Sequence, residues 1–170
     1  TYIWLDEMPV AQIDWRLGQG NGQANGIVKG KANPPASGNS WSEVVTWLHS
    51  DHLLTPRQGS NASGTMVWQW EGDAFGKNPP DEDADGDGKI VTVNLRFPGQ
   101  YFDAETGLNY NYFRTYDPGS GRYLESDPIG LQGGLNTYTY VINNPVNFID
   151  PLGLEAIVHA FPNNQGGYDF

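Results

Sequence analysis

Two aspartates that open the same five-residue motif are the residues best suited to acid–base chemistry in this chain. Asp127 begins Asp-Pro-Ile-Gly-Leu and Asp150 begins Asp-Pro-Leu-Gly-Leu, 23 positions further on. If the two turns pack together, two carboxylates meet in a poorly solvated place and share one proton, because both cannot ionise cheaply. The ionised member can then deprotonate a water while the protonated member polarises a carbonyl. The alternative is that each aspartate only nucleates an Asp-Pro turn.

A second acidic motif has the spacing of a calcium-binding loop. Asp83, Asp85 and Asp87 occupy loop positions 1, 3 and 5, and Gly88 stands where such a loop needs a sharp turn. Asn94 occupies position 12, where it cannot supply the usual bidentate carboxylate. The sequence therefore leaves two alternatives, a Ca²⁺ site within residues 83–94 or a solvated acidic loop.

Composition excludes several classes of partner and chemistry. The 170 residues carry a formal net charge of −11, which disfavours binding to nucleic acid or to an anionic membrane. There are no cysteines, so disulfides and thiolate chemistry are absent. No apolar run approaches the roughly 20 residues that a membrane-spanning helix needs. Because its first residues already read as the middle of a strand, we expect the chain to be a piece of a longer protein.

The elements that must position the aspartates are predicted to be mainly β. The chain contains 22 glycines, six tryptophans, nine tyrosines and seven phenylalanines, which favour short strands and tight turns. Strands are predicted at residues 2–15 (as a hairpin), 41–48, 65–70 and 90–97, and long loops at residues 18–39 and 71–89. Residues 135–142 suit either a short helix or a strand, and their β-branched and aromatic side chains favour a strand.

One turn is written twice between the predicted strands. Asp103 and Asp117 each follow an aromatic residue, and a glycine closes the turn four positions later. The aspartate can accept hydrogen bonds from backbone N–H groups ahead of it, while the glycine supplies a positive φ. We therefore expect antiparallel hairpins laid side by side, which partly bury five tyrosines against their neighbours: Tyr101, Tyr110, Tyr112, Tyr116 and Tyr123.

These motifs resemble a known family. Residues 116–122 (Tyr-Asp-Pro-Gly-Ser-Gly-Arg) match the Y-D-x-x-x-G-R signature of tyrosine-aspartate (YD/RHS) repeats. Residues 145–154 fit the P-x-x-x-x-D-P-x-G-L pattern that closes an RHS repeat-associated core. Upstream, residues 49–57 and 68–70 also resemble the family, so that the similarity covers most of residues 1–154 apart from 18–39.

The resemblance implies a fold and a division of the chain. RHS proteins wind a long β-sheet into a hollow shell that an irregular plug closes at one end. Residues 1–96 would then be a segment of this RHS/YD-repeat shell, and residues 97–154 the core that forms the plug. Residues 155–170 would be only the start of a variable C-terminal passenger, because so short a tail cannot form a domain by itself.

The resemblance also implies an activity. In polymorphic bacterial toxins the shell encloses a C-terminal toxin, and the core acts as an aspartic autoprotease that releases it. Asp127 and Asp150 would be the catalytic pair and the bond between Leu154 and Glu155 the cleavage site. Arg122 would either support the plug or a developing oxyanion, or only complete the repeat turn. No bound cofactor is implied apart from the Ca²⁺ alternative at residues 83–94.

Two classes of function therefore remain. The favoured one is an autoproteolytic shell-closing segment of a secreted bacterial effector, delivered by type VI secretion or as part of an insecticidal toxin complex. Its partners would be its own toxin domain, the rest of the RHS shell and the delivery machinery, and the segment by itself need not be active. The alternative is a purely structural RHS scaffold or adhesive module without cleavage.

Overall fold

The first two-fifths of the chain form a twisted antiparallel sheet. A computed structural model describes residues 1–18, 24–27, 40–158, 161–162 and 168–169. Six strands make this sheet: β1 (Tyr2–Leu5), β2 (Met8–Gly18), β3 (Ala24–Ile27), β4 (Ser40–Ser50), β5 (Pro56–Ser60) and β6 (Met66–Gln69). Their order is β1-β2-β4-β5-β6, and β3 pairs with the far end of β2. The long loop predicted at residues 18–39 lies largely outside the described residues.

A second antiparallel sheet is a meander of four short strands, in the order β10-β9-β8-β7. The strands are β7 (Tyr101–Asp103), β8 (Leu108–Asn111), β9 (Arg114–Asp117) and β10 (Arg122–Tyr123). The repeated turns join β7 to β8 and β9 to β10. In both, a carboxylate oxygen accepts from a backbone N–H two positions ahead, at 2.9 Å for Asp103 and 2.8 Å for Asp117. The expectation of a mainly β fold built from antiparallel hairpins is confirmed.

The prediction of a strand at residues 90–97 is wrong. This segment is extended, but its only bridge among the described residues pairs Leu95 with Tyr101. Its alternating side chains Val91, Val93 and Leu95 are nevertheless buried, because the segment covers the first sheet with one apolar face. The prediction failed because the segment alternates in burial like a strand but makes only scattered backbone hydrogen bonds instead of a continuous ladder.

One hydrophobic core joins the two sheets. Trp68 and Trp70 of the first sheet region belong to the same buried cluster as Tyr116 and Tyr123 of the second. Phe97 connects them, with its ring centroid 5.6 Å from that of Trp70 and 6.5 Å from that of Tyr116. The core is thus continuous across the boundary placed at residues 96 and 97.

The predicted burial of tyrosines is right for two residues and wrong for three. Tyr116 and Tyr123 are buried, whereas Tyr101, Tyr110 and Tyr112 are exposed. In β8 the buried side chains are those of Asn109 and Asn111. Asn109 donates to Gln100 Oε1 at 2.9 Å, and Asn111 donates to the Tyr123 hydroxyl at 2.6 Å. Strand alternation then sends Tyr110 to the outer face.

The rest of the chain, from residue 124 to 158, is irregular. Its regular elements are two 3₁₀ turns, Gly130–Gly133 and Val141–Asn143. The strand favoured for residues 135–142 does not form, and of the helical alternative only the 3₁₀ turn at 141–142 is present. Single bridges tie this segment down, between Arg122 and Thr139 and between Ile149 and Ile157. Beyond it, the two-residue strands β11 (Phe161–Pro162) and β12 (Tyr168–Asp169) pair with each other.

The second Asp-Pro turn is seated by two glycines. A Cβ on Gly99 would overlap the carbonyl of Pro151, and a Cβ on Gly153 would lie 2.5 Å from the carbonyl oxygen of Asn111. Both glycines have positive φ, 84° and 69° respectively. The backbone of this turn therefore packs directly on the meander, at its β7 entry and on the β8–β9 hairpin.

Candidate functional site

Asp127 and Asp150 lie on either side of one arginine, Arg114. Its Nη1 is 3.1 Å from Asp127 Oδ2 and its Nη2 is 3.1 Å from Asp150 Oδ2. All three residues are buried, with exposed fractions of 4% for Arg114, 8% for Asp127 and 2% for Asp150. The two aspartates that the sequence pairs by motif are therefore brought together through a shared guanidinium.

Both Asp-Pro motifs also form the turns that the alternative interpretation expects. Asp127 Oδ1 accepts from the N–H of Ile129 at 3.0 Å, and the N–H of Gly130 donates to the Asp127 carbonyl at 2.9 Å. Asp150 Oδ1 accepts from the N–H of Leu154 at 2.9 Å. Since one oxygen of each carboxylate serves its turn and the other faces Arg114, turn formation and a paired site coexist.

Asp150 is held by more donors than Asp127. Its Oδ2 accepts from the Tyr123 hydroxyl at 2.8 Å as well as from Arg114. Burial, together with the negative charge of Asp150, raises the pKa of Tyr123 far above its usual range, so that the phenol keeps the proton it donates. The guanidinium also stacks on the Tyr123 ring, 3.6 Å from its centroid. Asp150 is thus fixed on three sides.

The guanidinium changes the electrostatics expected from the sequence. Two carboxylates that face each other alone would be forced to share a proton, but here a buried cation offsets one of the two negative charges. The same cation holds the backbone near the second turn, since Arg114 Nε donates to the Gly153 carbonyl at 2.6 Å. Nη1 also donates to the Thr137 carbonyl at 3.2 Å.

The bond between Leu154 and Glu155 lies at the same place. A cavity of about 290 Å³ is lined by both aspartates, Arg114, Leu154 and Glu155. This volume exceeds the roughly 30 Å³ that one water occupies in the liquid. A hydrolytic water therefore has room beside this peptide bond.

The chain is fixed on both sides of that bond. On the N-terminal side, Arg114 binds the Gly153 carbonyl and Asp150 binds the Leu154 N–H. On the C-terminal side, Ile149 and Ile157 exchange two backbone hydrogen bonds, of 3.0 Å and 2.8 Å. A peptide bond held between two anchors resembles a substrate in a cleft, with the cleft formed by the same chain.

Strand alternation explains why Arg114 occupies the site and Arg122 does not. The side chain of Arg122 is exposed, because it neighbours the buried Tyr123 in β10 and so faces the opposite way. Arg114 begins β9, two positions before the buried Tyr116, and shares its inward face. Arg114 is not among the site residues predicted from the sequence, although its place two positions before Tyr116 in one strand puts both side chains on the same face.

The acidic loop is a separate feature. Ligand oxygens of Asp83, Asp85 and Asp87 all lie within 4.8 Å of one another. The turn already uses part of this capacity, since Asp83 Oδ1 accepts from the Gly88 N–H at 3.1 Å and Asp87 pairs with Lys89. That ion pair lowers the pKa of Asp87. The calcium alternative stays a prediction.

Curated relatives of the chain include bacterial toxins and Rhs proteins. It is 41% identical over 110 residues to the toxin protein Tse5 of Pseudomonas aeruginosa, a match that covers 65% of this chain and 8% of that protein. It is 41% identical over 112 residues to the double-stranded DNA deaminase toxin A of Burkholderia cenocepacia, covering 63% of this chain and 7% of the toxin. The probable deoxyribonuclease RhsA of Dickeya dadantii is 36% identical over 119 residues, with 69% and 8% covered.

Solved structures show the same likeness. TcdB2-TccC3 without its hypervariable C-terminal region superimposes with a TM-score of 0.54 at 28% identity, covering 75% of this chain and 6% of that one. The TcdB2-TccC3-Cdc42 structure gives a TM-score of 0.52 at 28% identity, with the same coverage. No protein-family model matches the chain.

The fold and the site together define a β-sheet module that closes on a segment of its own chain. With the relatives above, the resemblance to the RHS repeat-associated core of bacterial toxins is confirmed. The chain spans less than a tenth of the toxins it matches. In the part of the chain that the structure describes, no helix is long and apolar enough to cross a membrane.

Proposed function

We propose that this segment closes the shell of an RHS toxin and releases the toxin's C-terminal domain by cutting its own chain after Leu154. One observation carries the proposal: Asp127, Asp150 and the Leu154–Glu155 peptide bond line a single cavity, with Arg114 between the carboxylates. The sequence pairs the aspartates by motif, and the structure supports the pairing with a shared cation. The mechanism proposed is aspartic autoproteolysis.

The reaction is a hydrolysis with water as the second reactant. The water oxygen attacks the carbonyl carbon of Leu154 while one carboxylate takes up a water proton and the other carboxyl polarises the carbonyl oxygen. The carbon–nitrogen bond to Glu155 then breaks, and the proton passes to the departing nitrogen. The products are a new carboxylate at Leu154 and a new amino terminus at Glu155. Anchors on both sides of the bond hold the reacting atoms in place.

The test is made on the complete protein with its C-terminal domain. N-terminal sequencing and intact mass should show a released fragment that begins Glu155-Ala-Ile-Val. Asp127→Asn and Asp150→Asn keep the shape of each side chain but remove its ability to take up a proton, so each variant should stay uncut. Because the pair acts as a unit, either single change should cost nearly as much as both.

Acid scission is the trivial route that the experiment must exclude. The chain contains Asp-Pro bonds after Asp117, Asp127 and Asp150, and acid cleavage of such bonds leaves proline as the new N-terminus. A released fragment that starts at Pro151 would contradict the autoprotease proposal. The purely structural alternative predicts that the unmodified protein and both Asp→Asn variants each remain one uncut chain of the mass expected from its sequence.

The relatives support a proposal about the setting in which the segment acts. Several of them are named as toxins, a toxin subunit or probable deoxyribonucleases, which favours an exported bacterial effector. The partners proposed are the rest of the RHS shell, the chain's own C-terminal toxin and a delivery apparatus, either a type VI system or a toxin complex. The net charge of −11 argues that nucleic acid is not a partner of this segment, whatever the released domain acts on.

A further inference from the structure

Gly133 lies between the Asp127 carboxyl group and the carbonyl of Leu154. A Cβ built on this glycine would overlap Asp127 Oδ2 and would lie 3.0 Å from the Leu154 carbonyl oxygen. The first contact is closer than real Cβ atoms show, and the second is tighter than most. Gly133 also lines the cavity that contains both aspartates. The bare backbone therefore lets an acidic oxygen and the carbonyl oxygen approach the same point.

Backbone conformation does not explain this glycine. Its neighbours Gly130 and Gly134 have φ of 64° and 138°, where a side chain would strain the backbone, and both face open space. Gly133 is not among the glycines with positive φ, so that any L residue could adopt its backbone. What excludes a side chain at Gly133 is the space taken by Asp127 and Leu154.

The same geometry distinguishes the two aspartates. Arg114 contacts Oδ2 of both aspartates, but Asp150 also binds the Leu154 N–H through Oδ1 and the Tyr123 hydroxyl through Oδ2. An oxygen of Asp127, in contrast, lies next to Gly133 together with the Leu154 carbonyl oxygen. The two carboxyl groups therefore lie at opposite ends of Leu154, Asp150 at its amide nitrogen and Asp127 near its carbonyl.

We propose that Gly133 is a positioning residue that seats the Asp127 carboxyl against the carbonyl to be cut, leaving Asp150 to hold the adjacent amide. This inference rests on the proposed autoproteolysis. It assigns carbonyl polarisation to Asp127, whose proton bonds to the Leu154 oxygen while water adds to the carbon and passes one proton to Asp150. When the carbon–nitrogen bond breaks, Asp150 passes that proton to the Glu155 nitrogen and Asp127 regains its own. A methyl group at residue 133 would push the two oxygens apart.

The experiment compares Gly133→Ala with Gly119→Ala in the complete protein. Gly119 is a matched control, because its Cβ would also lie against an aspartate oxygen, Asp117 Oδ1 at 3.0 Å, but in a turn outside the cavity. The rate at which the fragment beginning at Glu155 appears should fall about a hundredfold or more in Gly133→Ala, as expected for a displacement of about 1 Å. Gly119→Ala should be cut at the unmodified rate.

A structural role must be separated from a positioning role. Trimethylamine N-oxide strengthens folding without restoring a displaced oxygen. If it rescues cutting by Gly133→Ala, the glycine matters only for stability, and the proposal is overturned. Continued absence of cutting in a chain that melts like the unmodified one supports it.

A double-mutant cycle tests the contact without any cutting. Removing the carboxyl in Asp127→Ala opens the space, so that Gly133→Ala should lower the melting temperature less in that background than in the unmodified protein. Equal decreases in the two backgrounds would overturn the contact even if Gly133→Ala alone proved too unstable to assay.

The outcomes separate this inference from the proposed function. If the unmodified protein is cut after Leu154 and Gly133→Ala is cut equally fast, only the role of Gly133 is overturned. If the unmodified protein is not cut there, the proposed function fails and the role of Gly133 fails with it.

Discussion

Replacing Arg114 by methionine should expose how strongly the two aspartates depend on it. Methionine fills a similar volume but leaves the buried pair of Asp127 and Asp150 without its compensating cation. Breaking a buried ion pair in this way typically costs about 3–5 kcal/mol. The donors that Arg114 supplies to the carbonyls of Gly153 and Thr137 are also lost, at about 1 kcal/mol each. We therefore expect the free energy of unfolding at pH 7 to fall by at least about 3 kcal/mol.

The charge-neutral background isolates the electrostatic part. Adding Asp127→Asn and Asp150→Asn to Arg114→Met removes both carboxylates while keeping acceptors for the turn N–H groups. Most of the loss should then be recovered, leaving the roughly 1–2 kcal/mol that belongs to the unpaired carbonyls. The comparison has the form of a double-mutant cycle, in which the shortfall from additivity measures the coupling.

Urea unfolding followed by tryptophan fluorescence measures these free energies, since the chain has six tryptophans. A deficit of less than about 1 kcal/mol at pH 7 would refute the reasoning, because it would mean that water solvates the carboxylates. A triple variant as unstable as Arg114→Met would refute it differently, by assigning the whole effect to the carbonyl contacts.

Three further predictions concern the rest of the molecule. Urea unfolding should show that Tyr116→Ala lowers the free energy of unfolding by about 3–5 kcal/mol. Tyr110 is 56% exposed, so Tyr110→Ala should lower it by about 0.5 kcal/mol or less. Similar losses would contradict the placement of the two tyrosines on opposite faces. Ile142→Gly should stabilise by about 1 kcal/mol, because Ile142 has φ 56° and ψ 29° while largely exposed; a lower melting temperature would count against left-handed strain. Millimolar Ca²⁺ should raise the melting temperature and Asp85→Ala should abolish the rise, whereas no shift in the unmodified chain leaves a solvated acidic turn.

Local patterns in the sequence were sufficient for the turns and most of the strands. The repeated Asp…Gly spacing predicted the turns at Asp103 and Asp117 because their hydrogen bonds join residues only two to four positions apart. The pairing of Asp127 with Asp150 was likewise visible, as a repeated motif together with the family resemblance. Contacts within a few residues depend on residue type and order, which the sequence states directly.

Tertiary structure decided which groups meet those aspartates. Arg114 reaches Asp150 across 36 positions, and only the stacking of the meander under the irregular segment brings them together. The same packing leaves Arg122 outside, places asparagines inside β8 and tyrosines outside, and keeps residues 90–97 from pairing as a strand. Gly133 is one of 22 glycines in the sequence, and its closeness to Asp127 and Leu154 is visible only in the tertiary structure. Contacts between distant residues depend on how sheets and loops pack, and no local pattern carries that information.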